Sequence, residues 1–453
     1  MGPTVEADDP TRHPRDRLVR ELSLTDATFL VVASVIGSGI FLTPGSIASA
    51  LPHPELVFAA WIAGGLLSLA GALANAELGA MYPHAGGNYV YLREAFHPAA
   101  GFLVGWLTFF VIYAGTIATL AAGFSEGLAG FLPLGDGAKL ALAVAITLAV
   151  TALNVLGVRA GARFNNVTTA LKVAALLAFV VAGPLAGEGR AANLVQGAAS
   201  PGGVGFAAFG LALSPVLFSY LGWNASVYVA SEIHEPQRNL PRSLFLGLAL
   251  CTAVYLAVNA VYLYALPVEV QAGQGNVGEA AARTLFGGIG GTLVAAFVLA
   301  SILGTLNATV LVGPRIAYAM AIDGRFFGGV DRVHEVYRTP HVALWAQAAT
   351  AVALLLLLRS FPSVLDYTTF AIVLATMADT VALYALRRRQ PGRARPYRAW
   401  GYPWVPALYF AANAGIALAM LQGRPLECAI GLAVLAAGLP FYVAFSRRPA
   451  AAE

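Results

Sequence analysis

The sequence predicts an all-α integral membrane protein of about twelve transmembrane helices. Three observations predict it. The 453-residue chain is 58% hydrophobic and 11% charged, with a mean hydropathy of +0.72, whereas a soluble domain carries about 25% charged residues. Apolar runs of about 20 residues, each able to cross a hydrocarbon core of ~30 Å, recur between short polar gaps. Two of those runs are interrupted in their middles, at Gly37-Ser38-Gly39 and at Ser219-Tyr220-Leu221-Gly222.

The elements follow in order. Residues 1–22 are charged and proline-containing (Asp8-Asp9-Pro10, Arg12, Arg15, Arg17, Arg20). They lack the apolar core and small-residue cleavage site of a signal peptide, and read as a disordered cytoplasmic tail. The first run, 25–49, holds the first interruption; runs at 55–80, 98–124 and 138–157 follow. The fifth, 163–185, opens on the polar Phe164-Asn165-Asn166 and carries Lys172 inside it. The sixth, 206–231, holds Pro215 and the second interruption. Runs at 241–266, 289–321, 341–359 and 364–386 complete a core over residues 23–386. The remainder, 387–453, contains a basic loop and runs at 403–421 and 426–446. Cys251 and Cys428 both fall inside apolar runs, so neither is placed for an external disulfide or a metal cluster.

Topology follows from the basic residues. With an even number of spans and the N-terminus inside, about 21 of the 27 Lys and Arg fall in cytoplasmic segments, most densely from Arg387 to Arg398. Five fall outside (Lys139, Arg190, Arg283, Arg359, Arg424), and Lys172 lies within a span. This is the positive-inside asymmetry, and it sets both termini in the cytoplasm. The pI near 9.1 then reflects loops facing an anionic leaflet, and no nucleic-acid partner is needed to explain it.

A glycine-rich break at mid-bilayer depth survives only where it lines a protein cavity, since lipid offers the backbone no partner. Paired breaks in corresponding halves of a chain point to a transport site. At the first break, the half-helix starting near Ile40 exposes free N–H groups and a positive dipole end that would hold a carboxylate. The half-helix that ends at the break exposes carbonyls that suit an ammonium group. At the second, Pro215 removes a backbone hydrogen bond and Gly222 permits dihedrals closed to other residues. Carbonyls at Phe218, Ser219 and Leu221 would take an amine, and Phe218, Tyr220 and Trp223 would close over a side chain.

Val35-Ile36-Gly37-Ser38-Gly39-Ile40-Phe41 resembles the first-helix signature of the amino acid–polyamine–organocation (APC) superfamily. Ala76-Glu77-Leu78-Gly79-Ala80-Met81-Tyr82-Pro83 with Gly86-Gly87-Asn88-Tyr89 resembles its second helix and the loop after it. Ser219-Tyr220-Leu221-Gly222-Trp223-Asn224, with Glu232-Ile233 and Asn239-Leu240-Pro241, is similar to its sixth helix and following loop. The resemblance, which extends to sodium-independent L-type members, implies a LeuT-type fold of five plus five inverted helices and two more. It implies a midplane site for a free amino acid. Gly37, Ser38 and Gly39 would meet its carboxylate; Ile36, Phe218, Ser219 and Leu221 would offer carbonyls to its amine; Phe218 would gate it. Some relatives carry glycine where this chain has Leu221, so a narrower pocket for a small or mid-sized neutral side chain is expected.

Lys172 lies about ten residues into the fifth run, where an ammonium costs at least ~2.5–3.5 kcal/mol unless paired or wetted. A fixed ammonium can stand where other transporters bind a cation, and the resemblance implies that role, with carbonyls near Val35 and Ile36 as partners. A hydroxyl from the eighth span completes the set, Ser301 first and Thr305 second. Sodium independence follows, with exchange, uniport and proton coupling all open.

Enzyme chemistry is not indicated: the chain has no phosphate-binding loop, His-Glu-x-x-His or Cys-x-x-Cys, and no cofactor or metal is expected. A channel would favour a polar stripe along several helices, whereas polarity here gathers at two breaks. The reading is a multi-pass plasma-membrane (bacterial inner-membrane) transporter of free amino acids working by alternating access. A polyamine or organic-cation transporter of the same superfamily is the alternative. The loop 126–138 has no cysteine, so no disulfide-linked heavy subunit is expected; the partners are the substrate and the bilayer.

Overall fold

The computed structural model describes residues 13–197, 206–358 and 361–447, so the predicted external Arg359 lies outside the described residues. The described chain is helical, with no strand beyond a single parallel bridge between Leu22 and Ile233. Ten helical stretches are long and apolar enough to cross a membrane, and two shorter apolar helices, Ala208–Tyr220 and His341–Leu357, bring the total to twelve.

The first span is α1 (Leu24–Val35), α2 (Gly39–Leu42) and α3 (Pro44–Ala50). Ser23 starts it with a capping box: its hydroxyl accepts from Asp26 N–H at 3.2 Å and the Asp26 carboxylate accepts from Ser23 N–H at 2.8 Å. Spans two to five are α4 (Pro54–Met81), α6 plus α7 (Pro98–Leu107, Ala114–Ala129), α8 (Asp136–Val155) and α9 (Val158–Leu185), with a short α5 (Asn88–Ala95) after α4. A π-helical turn, Thr108–Tyr113, joins α6 to α7. Span six is α10 (Phe206–Tyr220) continued by α11 (Ala225–Tyr228); α12 (Pro236–Ala265) is span seven, followed by α13 (Val268–Gln271). The rest are α14 (Val277–Val312), α15 (Pro314–Ile322), α16 (His341–Leu358), α17 (Phe361–Arg389), α18 (Trp404–Gly423) and α19 (Pro425–Ser446). The eighth span is shorter than its apolar run. Gly287, at φ 71°, separates a preceding segment from it, and Gly313-Pro314 ends it.

The tail differs from expectation. Residues 1–12 lie outside the described residues, but 13–22 pack on the bundle: Leu18 and Leu22 are buried. Glu21 and Leu22 N–H groups donate to the Glu232 carbonyl (2.9 and 2.8 Å), and His234 N–H donates to Leu22 (2.9 Å). Two apolar side chains spaced four apart among the arginines supply the burial that holds the segment.

Both breaks fall where the sequence interrupts its apolar runs, in spans one and six. Helical geometry stops at Ile36 and resumes at Gly39; it stops again after Tyr220, with Gly222 at φ +96°. The two breaks touch. A Cβ on Gly39 would lie 2.8 Å from the Ser219 hydroxyl, and one on Gly222 would lie 2.8 Å from the Ser34 carbonyl. Only glycine allows this approach.

Candidate functional site

A cavity of about 1160 Å³ has its floor on the two breaks. Gly37, Ser38, Gly39, Phe218, Ser219, Leu221 and Gly222 line it, with Ile112 and Thr116 from the third span and Thr305 and Thr309 from the eighth. It extends to Glu126 at the end of α7, to Glu279 and Arg283 at the start of α14, and to Arg424 between α18 and α19. These four are the charged residues among its lining. All stand at helix ends on the face opposite residues 13–22, and none is on the floor.

Backbone donors are exposed at the first break. Among the described residues the N–H groups of Ser38, Gly39 and Ile40 have no acceptor, whereas Gly37 N–H is taken by Val35 O at 2.8 Å. The half-helix beyond is longer than α2 alone. Thr43 is itself right-handed helical, its N–H reaches Gly39 O (2.9 Å), and Ile47 N–H reaches Thr43 O (3.1 Å), so α2 and α3 run on as one dipole.

The carbonyls divide by use. Ile36 O accepts from the Lys172 ammonium (3.0 Å) and the Ser301 hydroxyl (3.2 Å). Ser219 O accepts from the Tyr255 hydroxyl at 2.9 Å. Phe218 O takes Leu221 N–H at 3.1 Å and keeps a second lone pair. Leu221 O accepts from no described donor. Leu221 O is therefore the open acceptor, Phe218 O and Ser219 O each accept one bond and keep a second lone pair, and the Ile36 carbonyl is occupied internally.

Lys172, in α9, is 1% exposed. Its ammonium also donates to Ala33 O (3.4 Å) and the Thr305 hydroxyl (2.9 Å). Thr305, the second choice from sequence, thus meets the ammonium, while Ser301 reaches Ile36 O instead. Position 305 is one helical turn beyond 301, a distinction that periodicity alone does not make.

Tyr220 and Trp223 do not line the cavity. The Tyr220 ring packs on Trp61 and Tyr255, its hydroxyl donating to Trp61 O at 3.1 Å, and Trp223 packs edge-on against Tyr409. They are core residues behind the break, which leaves Phe218 as the cavity-lining aromatic of the three. Ile40 is fully buried behind the floor.

Several contributors carry no sequence signal. Tyr255, in α12, sets its hydroxyl between Val35 O (2.8 Å) and Ser219 O (2.9 Å), joining the two breaks. Thr43 and Ser219 hydroxyls meet at 2.9 Å. The π turn brings Ile112 and Tyr113 onto the cavity wall, a distortion frequent at functional sites.

The face bearing residues 13–22 is closed by ion pairs. Arg315 and Glu232 form a buried bidentate pair at 2.7 and 3.0 Å. Glu77 accepts from Arg387 at 3.0 Å, lies 3.2 Å from Arg395, and takes Ala399 N–H at 2.6 Å. Among the described residues neither carboxylate pairs with Arg93. Arg93 instead pairs with Asp323, which Tyr89 and His13 also contact. Burial alone would raise the Asp323 carboxyl. The hydrogen bond from His13, the Arg93 charge and the Tyr89 hydroxyl together outweigh it and hold the group below the usual carboxylate range. Nearby His84 is pushed down to about 4 by burial, helped by the Arg93 charge.

Among the described residues no cluster of His, Cys, Asp or Glu fits a metal ion. A family model described as amino acid permease matches residues 22–431. The chain is 32% identical to the serine/threonine exchanger SteT of Bacillus subtilis (strain 168), over 97% of this chain and all of that protein. It is 29% identical to the human large neutral amino acids transporter small subunit 2, over 94% of this chain and 80% of that one. Identity to the mouse Asc-type amino acid transporter 1 is 27%, over 94% and 81% respectively.

Proposed function

The chain belongs to the amino acid permease family, and from that premise we propose that this amino acid transporter carries small or mid-sized neutral amino acids without sodium. It is a multi-pass membrane protein of LeuT-type fold and not an enzyme. Residues 23–386 form the transport core in this reading, and the termini face the cytoplasm.

One observation carries the proposal. At the cavity floor, the unpaired N–H groups of Ser38 and Gly39 and the Phe218 and Leu221 carbonyls lie on two helix breaks that touch, and no charged side chain lines the floor. A zwitterion matches that arrangement: its carboxylate sits on the dipole end at 37–39 and its ammonium on the carbonyls at 218 and 221. Phe218 closes over it. A cationic or polyamine substrate would need a carboxylate on the floor, and the lining carboxylates, Glu126 and Glu279, stand at the mouth. Leu221 narrows the side-chain space. The serine/threonine exchanger named among the relatives agrees with that size.

Lys172 supports sodium independence. Its ammonium has the Ala33 and Ile36 carbonyls and the Thr305 hydroxyl as ligands, an oxygen set that would otherwise suit a cation. The closed face, held by Glu232–Arg315 and Glu77–Arg387, argues against an open channel and fits the outward half of an alternating-access cycle.

The test is uptake of a labelled amino acid panel into proteoliposomes, with sodium replaced by choline. Uptake and exchange of serine, threonine and alanine at equal rates in both salts are expected. Sodium-dependent uptake, or transport of polyamines alone, would sink the reading.

A further inference from the structure

Asp379 lies on α17, three residues beyond Thr376 of the cavity wall, and the site described above does not use it. Its side chain is wholly buried, and neither carboxyl oxygen has a hydrogen-bond partner of good geometry. Among the described residues no ion pair includes it. The basic residue nearest to it on its own helix, Arg387, is eight residues or about 12 Å away and is committed to Glu77.

The neighbours are neutral. From α4, the side-chain amide of Asn75 lies against the carboxyl. From α5, α11 and α18, the phenols of Tyr91, Tyr228 and Tyr409 are close enough to feel its charge. The other helices packed on α17 bring no charge to this side. Glu126 of α7, His341 of α16 and Glu427 of α19 stand at helix ends, Tyr113 of the π turn faces Tyr228, and Tyr442 of α19 packs on Phe102. Asn75 Oδ1 and the Tyr91 hydroxyl are likewise buried and unpartnered.

The packing makes room for this cluster. Gly71, Asn75 and Gly79 lie on one face of α4 at four-residue spacing. A Cβ on Gly71 would meet the Tyr409 ring at 2.7 Å, and one on Gly79 would meet the Tyr91 hydroxyl at 3.0 Å. Polar hydroxyls connect the cluster upward: Tyr228 and Thr376 line the cavity, and the Tyr409 hydroxyl lies near Thr376. Below it, Glu77–Arg387 seals the opposite side.

We propose that Asp379 is the proton-binding residue of the transport cycle, so that amino acid entry is coupled to proton entry. The inference rests on the amino acid transport reading above. An unpaired carboxylate at this depth costs at least ~2.5–3.5 kcal/mol, and protonation removes that cost. In the outward-open state a proton from cavity water bonds to an Asp379 oxygen through the Thr376, Tyr409 and Tyr228 hydroxyls, each of which donates and accepts. When the sealed face opens, water reaches the carboxyl, the O–H bond breaks, and the proton leaves on that side. Nothing is oxidised or reduced.

Two measurements test this. Infrared difference spectra of purified wild type minus Asp379→Asn at pH 7 should contain a protonated-carboxyl C=O band. In proteoliposomes loaded with a pH-sensitive dye and clamped in voltage, L-threonine entry should acidify the lumen. A gradient of one pH unit should raise threonine accumulation up to about tenfold, the limit for one proton per substrate. Asp379→Asn should lose the acidification, and Asp379→Glu should restore it. Absence of the infrared band, threonine entry without acidification, or acidification persisting in Asp379→Asn each overturns the proposal. If no amino acid moves in wild type, the transport reading fails instead, and the infrared band still decides whether Asp379 holds a proton.

Discussion

The ammonium of Lys172 stands 3.0 Å from the carbonyl oxygen of Ile36, the last residue before the first helix break. A buried charge on the fifth span therefore caps the carbonyl end of the first half-helix. Without it, the Ile36 and Ala33 carbonyls lose their charged donor and keep only the Ser301 and Thr305 hydroxyls, and a hydrogen bond to a charged group contributes about 1.5–3 kcal/mol. Lys172→Ala should lower the initial rate of amino acid uptake at least tenfold. Uptake at the wild-type rate in that variant would remove Lys172 from the mechanism.

Tyr255 joins the two breaks through a single hydroxyl. Tyr255→Phe keeps the ring among Trp61 and Tyr220 but strands the Ser219 carbonyl oxygen, while Val35 O keeps the Gly37 N–H. Loss of about 1–3 kcal/mol of site order is expected, read as a rise in the apparent KM of about tenfold with protein yield unchanged. An unaltered KM would mean that the breaks hold their geometry without it.

Gly222 combines φ +96° with a Cβ position 2.8 Å from the Ser34 carbonyl. Gly222→Ala meets both strain and collision, on the order of 1–3 kcal/mol for the backbone term alone. Transport should fall below detection, with a lowered thermal midpoint in detergent. Full activity would show that the second break can move away from the first.

Glu232 and Arg315 are each about fully buried. Removing one partner leaves an uncompensated charge, typically costing 3–5 kcal/mol. Arg315→Ala should lower the unfolding temperature and open the face bearing residues 13–22 to a membrane-impermeant thiol reagent, read with a cysteine placed at Ser231. Labelling as slow as in the closed parent would argue that the pair does not hold this face shut.

Acid should loosen the same face. The folded-state value of Asp323 is depressed, so its contribution is present above the unfolded value and lost as pH falls through the folded one. His84 is held neutral down to about 4 against an ordinary 6.5, so between those values the unfolded chain binds more protons and stability rises with pH. Stability should thus drop as pH is lowered from 6.5 to 4, and His84→Asn should flatten that slope. An unchanged slope in the variant would remove His84 from the effect.

Much of this was legible in the residue string because lipid simplifies the problem. A span needs about 20 apolar residues, and a break inside one needs small residues and a cavity. The twelve spans, the breaks at 37–39 and 219–222, and the oddity of Lys172 follow from that alone. Ion-pair partners were not legible. Glu77 finds Arg387 and Arg395, more than three hundred positions away, because helix packing sets which ends meet.

What the sequence by itself determined was the architecture and the location of the exposed backbone, since both depend on local composition against a uniform apolar solvent. Only the tertiary structure decided which polar atoms are used up within the protein. Ile36 and Ser219 carbonyls are claimed by Lys172 and Tyr255, Tyr220 and Trp223 turn into the core, and Asp379 is left unpaired. Hydrogen bonds act over about 3 Å, and distances that short between segments up to hundreds of residues apart exist only once the helices have packed.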